Sequence, residues 1–175
     1  MRKQLKNMIL SAMFIAIGLL LPFITGQIPE IGNMLLPMHI PVMLSGLVCG
    51  WHFGAAVGFI TPLLRSFIFG KPILFPSAVA MAFELAAYGL VIGLVFAILK
   101  KKGILALYIS LASSMLAGRA VWGVVMWLML LSGKGFTVAA FISGAFTTAI
   151  PGIILQFVLI PAIMIVLKRA RLVDF

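Results

Sequence analysis

Apolar runs of about 20 residues recur along the chain, and this feature constrains the fold most strongly. The run from Met8 to Thr25 contains no charged residue, and the run from Ala78 to Leu99 contains only Glu84. An α-helix of about 20 apolar residues crosses the hydrocarbon core of a bilayer. Because lipid offers no hydrogen-bond partners to the backbone, a helix is the expected conformation of such a run.

The composition agrees with a membrane protein. Charged residues make up 9% of the chain, against roughly 25% in soluble domains, so a water-facing surface cannot be built from it. This excludes a soluble enzyme, a disordered tail and a nucleic-acid-binding protein. The net charge of +10 is therefore interpreted as a topology signal. Cys49 is the single cysteine, which excludes an internal disulfide, and no metal centre is predicted.

We predict an all-α, six-helix integral membrane protein that forms a single transmembrane domain over residues 1–175. A basic start before an apolar run is also a feature of signal peptides, but this run is long for one and further spans follow. The predicted helices cover residues 8–25, 38–51, 54–69, 78–99, 104–131 and 138–167. The second and third are short for a full span, which predicts tilt or partial burial.

The distribution of Lys and Arg predicts the orientation. Six spans place both termini and the loop after the fourth helix on one side of the membrane. That side holds nine cations, whereas the opposite loops hold Lys71 and Lys134. The nine are Arg2, Lys3, Lys6, Lys100, Lys101, Lys102, Lys168, Arg169 and Arg171. Since loops rich in Lys and Arg stay in the cytoplasm, both termini are predicted to be cytoplasmic.

Three ionisable residues, Arg65, Glu84 and Arg119, lie inside predicted spans. Such residues are costly in lipid and usually face a cavity or a partner. At about 1.5 Å per residue, all three fall between the outer interface and the midplane of the membrane. His39, near a helix start, and Asn33, in the preceding loop, belong to the same outer level.

These residues predict a polar pocket that opens to the outside. Two arginines and one glutamate leave one surplus positive charge, which suits a small ligand with a carboxylate, because a guanidinium holds a carboxylate through two bonds. Helical spacing adds Tyr88 to the face of Glu84 and Trp122 to the face of Arg119. The sixth helix adds the amide of Gln156.

A purely structural role is the alternative for the three charges. Glu84 would then neutralise one arginine, while the other extends its guanidinium to the interface. Arg65 lies close enough to its helix end for this, whereas Arg119 lies too deep. Arg119 is therefore the strongest candidate for ligand binding.

Pairs of small residues four positions apart let helices approach closely. Three such pairs are Ala12 with Ala16, Gly54 with Gly58, and Gly89 with Gly93. Internal packing explains most of them. The first pair differs because its exposed neighbours on the first helix are all apolar, which predicts a docking face for a partner membrane protein.

Several motifs are missing from the sequence. It contains no G-x-x-x-x-G-K-[ST] loop, so the chain is not expected to hydrolyse ATP itself. It contains neither H-E-x-x-H nor G-x-S-x-G. Its three acidic residues cannot supply the carboxylates of a metal-dependent lipid transferase. We therefore predict no enzyme activity and no cofactor.

Over nearly its whole length the chain resembles the substrate-binding S component of energy-coupling factor (ECF) vitamin transporters. The likeness rests on its size, on six helices with both termini inside, and on two stretches of sequence. Ala12-Met13-Phe14-Ile15-Ala16 is similar to the AxxxA motif of the family. LLPMHIPVMLSGLVCGWHFGAAVGFITPLLRSFIFG (Leu35–Gly70) is similar to the branch that includes the pantothenate and folate proteins.

The resemblance implies a multi-pass protein of the bacterial plasma membrane that binds a vitamin near its outer face, under loops 1–2, 3–4 and 5–6. It implies docking through the first helix onto a transmembrane T component, and two cytoplasmic ATPases that supply energy. It also implies that the S component topples in the membrane to release its ligand inside. The expected partners are thus a vitamin, these subunits and the lipid bilayer, and no nucleic acid.

Pantothenate is the leading substrate because the surplus positive charge favours an anion. A cation such as thiamine would need more acidic and aromatic groups than this pocket offers. Folate, biotin, a pyridoxine-type compound or a pyrimidine precursor remain open. The rival class is a small six-helix channel or an assembly subunit. A channel would line its pore from both faces, whereas the internal charges here lie in one half of the membrane.

Overall fold

The computed structural model describes residues 2–25, 36–99, 102–130, 149–170 and 172–173, which contain six α-helices and no strand. The helices are α1 (Arg2–Thr25), α2 (His39–Cys49), α3 (Trp51–Phe69), α4 (Val79–Leu99), α5 (Ile104–Leu130) and α6 (Ile150–Arg169). A π-helical turn, Leu74–Ala78, leads into α4. For the described residues, the predicted all-α, six-helix fold is confirmed.

Five of these helices are long and apolar enough to cross a membrane, and α2 is the exception. Its 11 residues rise about 16 Å, roughly half of the hydrocarbon core. Nearly every residue of α2 is buried, because α1, α3, α4 and α6 all pack against it. Since protein rather than lipid covers α2, it does not need the length of a full span.

Two helix starts differ from the predicted bounds. α1 begins at Arg2 rather than at residue 8, because Arg, Lys and Gln are good helix formers and prolong the helix beyond its apolar run. α3 begins at Trp51, because the turn after α2 is made by Gly50 alone, with φ of 100°. Glycine adopts this backbone conformation without steric cost.

In the second half of the chain, α5 is continuous through Gly118. α6 begins at Ile150 with Pro151 in its first turn, a position where the missing N–H of proline costs nothing. Pro151 therefore lies at the start of the described helix, and the predicted helical residues 138–148 lie outside the described part of the chain.

Glycines bring the backbones of α2, α3 and α4 into direct contact. A Cβ on Gly89 of α4 would overlap the backbone of Gly54 on α3, and one on Gly58 would overlap the carbonyl of Leu85. A Cβ on Gly46 of α2 would lie 2.5 Å from the carbonyl oxygen of Gly89. The predicted close approach of helices through these glycines is confirmed, and the three helices form one tightly packed unit.

α5 and α6 join this unit through a layer of interlocking apolar side chains. The buried cluster contains Met43, Leu44 and Leu47 of α2, Tyr88, Ile92 and Phe96 of α4, Leu107, Leu111 and Met115 of α5, and Ile160 and Met164 of α6. Below, the end of the bundle where α2, α4 and α6 begin is called the upper end. The end where α1, α3 and α5 begin is called the lower end.

We predict that Gly89→Ala destabilises the protein by about 1–3 kcal/mol, the usual cost of overpacking. The added methyl group would meet backbone atoms of Gly54, which cannot move aside as a side chain would. Ala97→Val is the control, because it also adds methyl groups to α4 but at an exposed position. Thermal unfolding in detergent checks this, and equal unfolding temperatures for the two variants would contradict the contact.

Candidate functional site

A buried ion pair joins α4 to α5 in the upper half of the bundle. Nη1 of Arg119 donates to Oε1 of Glu84 at 2.8 Å, and the side chains are 7% and 2% exposed. Glu84 lies less than two turns after the start of α4, and Arg119 lies about three turns before the end of α5. Burying either charge alone would cost several kcal/mol, so each stabilises the other in this position.

His39, the first residue of α2, is the third member of the cluster. Its Nε2 lies 3.5 Å from the same Oε1 of Glu84 that Arg119 contacts, and its side chain is 1% exposed. The His39 ring meets the ring of Tyr88 edge to face, with 5.0 Å between ring centroids. One carboxylate oxygen of Glu84 thus faces both a guanidinium and an imidazole.

Several polar atoms of this region have no hydrogen-bond partner among the described residues. They are Nε and Nη2 of Arg119, Nδ1 of His39 and Nε2 of Gln156, and all are buried. Gln156 lies less than two turns after the start of α6, and α6 packs against α2. Its amide therefore lies in the upper half of the bundle. The nitrogens of Arg119 and Gln156 can only donate, so this region offers three donors to an acceptor.

Gly118 supports the cluster and was not predicted to do so. The ring of Tyr88 lies directly against Gly118, and a Cβ at this position would overlap the ring. This contact limits the movement of the Tyr88 ring. Because Arg119 is the next residue, it also constrains the position of the guanidinium along the axis of the bundle. The only signal in the sequence was a glycine next to Arg119 in a predicted span.

Arg65 lies apart from this cluster. Its Nη1 donates to the carbonyl oxygen of Leu19 in α1 at 2.7 Å. Its guanidinium is 5.0 Å from the ring centroid of Phe23 and 5.8 Å from that of Phe69. The register of α3 against α4 places Arg65 about 9 Å above Glu84 along the helix axes. In this structure Arg65 holds the upper end of α1, and it does not join Glu84 and Arg119.

The remaining predicted residues have different positions. Trp122 lies on α5 three residues after Arg119 and is half-buried. Asn33 lies outside the described residues. Ala12 and Ala16 are exposed on α1. They lie within a stripe of exposed apolar side chains, namely Leu5, Met8, Ile9, Met13, Ile17, Leu20 and Ile24.

The opposite face of α1 packs against α2 and α3. Gly18 meets the methyl group of Thr61 there, and Nδ2 of Asn7 donates to the carbonyl oxygen of Cys49 at 3.0 Å. Together with the Arg65 bond, polar contacts therefore attach α1 near both of its ends. The stripe around Ala12 and Ala16 is the face left without a protein neighbour among the described residues.

Neither the comparison with curated proteins nor the comparison with solved structures found a match. A protein-family model described as "ECF transporter, substrate-specific component" matches residues 6–164. This range contains Glu84, Arg119 and His39 and the exposed stripe from Met8 onward. With five helices of spanning length, the chain is a multi-pass membrane protein. It belongs to the family of substrate-specific components of ECF transporters, the S components.

Proposed function

We propose that this S component captures a small anionic vitamin, with pantothenate as the best candidate, in the upper half of the bundle. The residues proposed to bind it are Arg119, Glu84, His39, Tyr88, Trp122 and Gln156, with Asn33 from the preceding loop. Members of this family are transport subunits that supply substrate specificity to an importer. The protein is proposed to do so in the bacterial cell membrane.

One observation carries the proposal: Arg119 is buried but uses only one of its guanidinium nitrogens on Glu84. Nε and Nη2 lie side by side on the guanidinium and match the two oxygens of a carboxylate. A buried donor without a partner costs about 1–3 kcal/mol. A bound carboxylate would pair with both nitrogens and remove that cost. An arginine with a purely structural role would gain nothing from leaving them unpaired.

Pantothenate fits these groups because it combines a carboxylate with an amide and hydroxyl groups. Arg119 is proposed to hold the carboxylate, and Gln156 to pair with a polar group further along the ligand. Folate and biotin also carry carboxylates and stay as alternatives for the same site. A pyridoxine-type compound or a pyrimidine precursor without a carboxylate would leave Nε and Nη2 of Arg119 unpaired.

The charge asymmetry of the loops supports an upper end that faces outward. Nine cations lie on the side of the termini and two on the opposite side, so the lower end is proposed to be cytoplasmic. The site then takes up its ligand from outside. Energy is proposed to come from two ATPases through a T component that docks on the stripe around Ala12 and Ala16.

We predict that Arg119→Ala raises the Kd for pantothenate at least about 30-fold, the effect of truncating one partner of a buried charge pair. Isothermal titration calorimetry of the purified protein measures this after size-exclusion chromatography has shown that the variant is folded. Arg169→Ala is the matched control, since Arg169 is exposed at the lower end. Unchanged affinity in the Arg119 variant would remove Arg119 from the site.

The substrate class is tested by a thermal-shift screen of B vitamins against the wild-type protein. Carboxylate vitamins should raise the unfolding temperature, since binding to the folded state stabilises it. If only vitamins without a carboxylate do so, the proposed substrate class is wrong even though the protein is an S component.

We predict that Ala12→Trp combined with Ala16→Trp blocks uptake and leaves ligand affinity unchanged. Both positions are exposed and lie on a helix that carries none of the proposed ligand contacts. Two indole rings would prevent the close approach that small residues allow. Vitamin uptake into cells and calorimetry on the purified protein separate the two effects.

Ile154→Trp combined with Val158→Trp is the matched control for docking. These residues are also exposed and four positions apart, but they lie on α6. Uptake should survive in this control. Normal uptake in the α1 variant would show that the T component docks on another face.

A further inference from the structure

The charges of the site balance before any ligand arrives. Arg119 carries one positive charge and Glu84 carries one negative charge at 2.8 Å from it. Apart from His39, the buried cluster therefore has no net charge. Entry of a carboxylate would leave one uncompensated negative charge among side chains that are at most 7% exposed. A buried net charge is strongly unfavourable, so a compensating positive charge is required.

The geometry of His39 provides a place for that charge. A carboxylate oxygen only accepts hydrogen bonds, so the proton of a neutral ring belongs on Nε2, which faces Oε1 of Glu84 at 3.5 Å. Nδ1 is then a bare lone pair, buried and without a partner among the described residues. A carboxylate group offers only acceptors, so this lone pair cannot contact the carboxylate favourably. A proton on Nδ1 turns the acceptor into a donor and supplies the missing charge.

The groups that face His39 leave few other places for the proton. α4 contributes Glu84 and Tyr88, and α5 contributes the guanidinium of Arg119. α6 also packs against α2, and the buried polar side chain that it contributes in the described residues, Gln156, does not titrate. On α3, Arg65 lies about 9 Å above Glu84 along the helix axes, and its guanidinium donates to α1. The described cations of α1 lie at the lower end.

We infer that the protein takes up one proton on the His39–Glu84 pair for each anionic ligand it binds. The anion and the proton together add no net charge to the buried site. This inference rests on the proposed function, because it requires a ligand that carries a negative charge. It makes His39 a determinant of specificity, because binding of a neutral ligand would not be accompanied by proton uptake.

Calorimetry on the detergent-solubilised wild-type protein tests the inference with pantothenate as the probe. Titrations at one pH in phosphate and in Tris, which differ in their enthalpy of protonation, count the protons exchanged on binding. We expect an uptake close to one proton per ligand. Uptake on binding means that affinity falls as pH rises, by at most about tenfold per pH unit.

The pH series runs from about 6 to about 8.5, where a carboxylic acid such as pantothenate stays ionised. A change in affinity over this range therefore reports on the protein and not on the ligand. Pantothenol, which carries an alcohol in place of the carboxylate, is the neutral control. If pantothenol binds, its binding enthalpy should be the same in phosphate and in Tris.

Two variants locate the proton. Glu84→Gln removes the negative charge of the site, so the anion alone balances Arg119 and proton uptake should fall to near zero. His39→Asn keeps a polar side chain that cannot titrate, so uptake should also vanish and the affinity should lose its dependence on pH. The wild-type titrations decide the main question even if a variant does not fold.

The outcomes separate the two proposals. Pantothenate that binds with equal enthalpy in both buffers and pH-independent affinity would overturn proton uptake and leave the proposed function intact. A folded His39→Asn protein that still takes up a full proton would overturn the assignment to His39. If neither pantothenate, biotin nor folate binds, the proposed anionic ligand is wrong and the proton inference falls with it.

Discussion

The ion pair between Glu84 and Arg119 is the interaction on which the organisation of the bundle depends. Two charges in the interior of a membrane protein are tolerated only when they lie against each other with good geometry. The 2.8 Å contact therefore sets which faces of α4 and α5 meet, within the small shifts that their side chains allow. Gly118 adds to this contact, because the missing side chain lets the Tyr88 ring lie directly against α5 beside the charged pair.

The short helix α2 brings the third ionisable group to this pair. Because four other helices cover it, α2 can begin below the level where a full span would start. Its first residue, His39, is therefore placed inside the protein and against Glu84. A helix of full length in the same place would put its first turn at the membrane surface. The position of the imidazole is thus a consequence of the central place of α2.

The sequence allowed the helices and the depth of the charged residues to be predicted, but not their direction around each helix. Depth follows from counting along a helix, so Glu84, Arg119 and His39 were grouped correctly in the upper half. The direction in which a side chain points depends on which helix its face meets. Because the spans are apolar on every face, the sequence shows no periodic pattern that reveals this. Arg65 was therefore grouped with Glu84, although it faces α1 and donates to Leu19. The role of Gly118 was missed for the same reason, since it depends on a ring from another helix.

The glycine contacts divide the site into two parts with different freedom to move. α2, α3 and α4 touch through their backbones, and helices in such contact cannot slide or rotate without large overlaps. α5 and α6 are attached through side chains, whose rotamers allow small shifts. His39, Glu84 and Tyr88 stand on the rigid part, whereas Arg119 and Gln156 stand on the adjustable part. Glu84 is thus a fixed reference point, and the donors proposed to bind an incoming acceptor belong to the helices that can adapt to it.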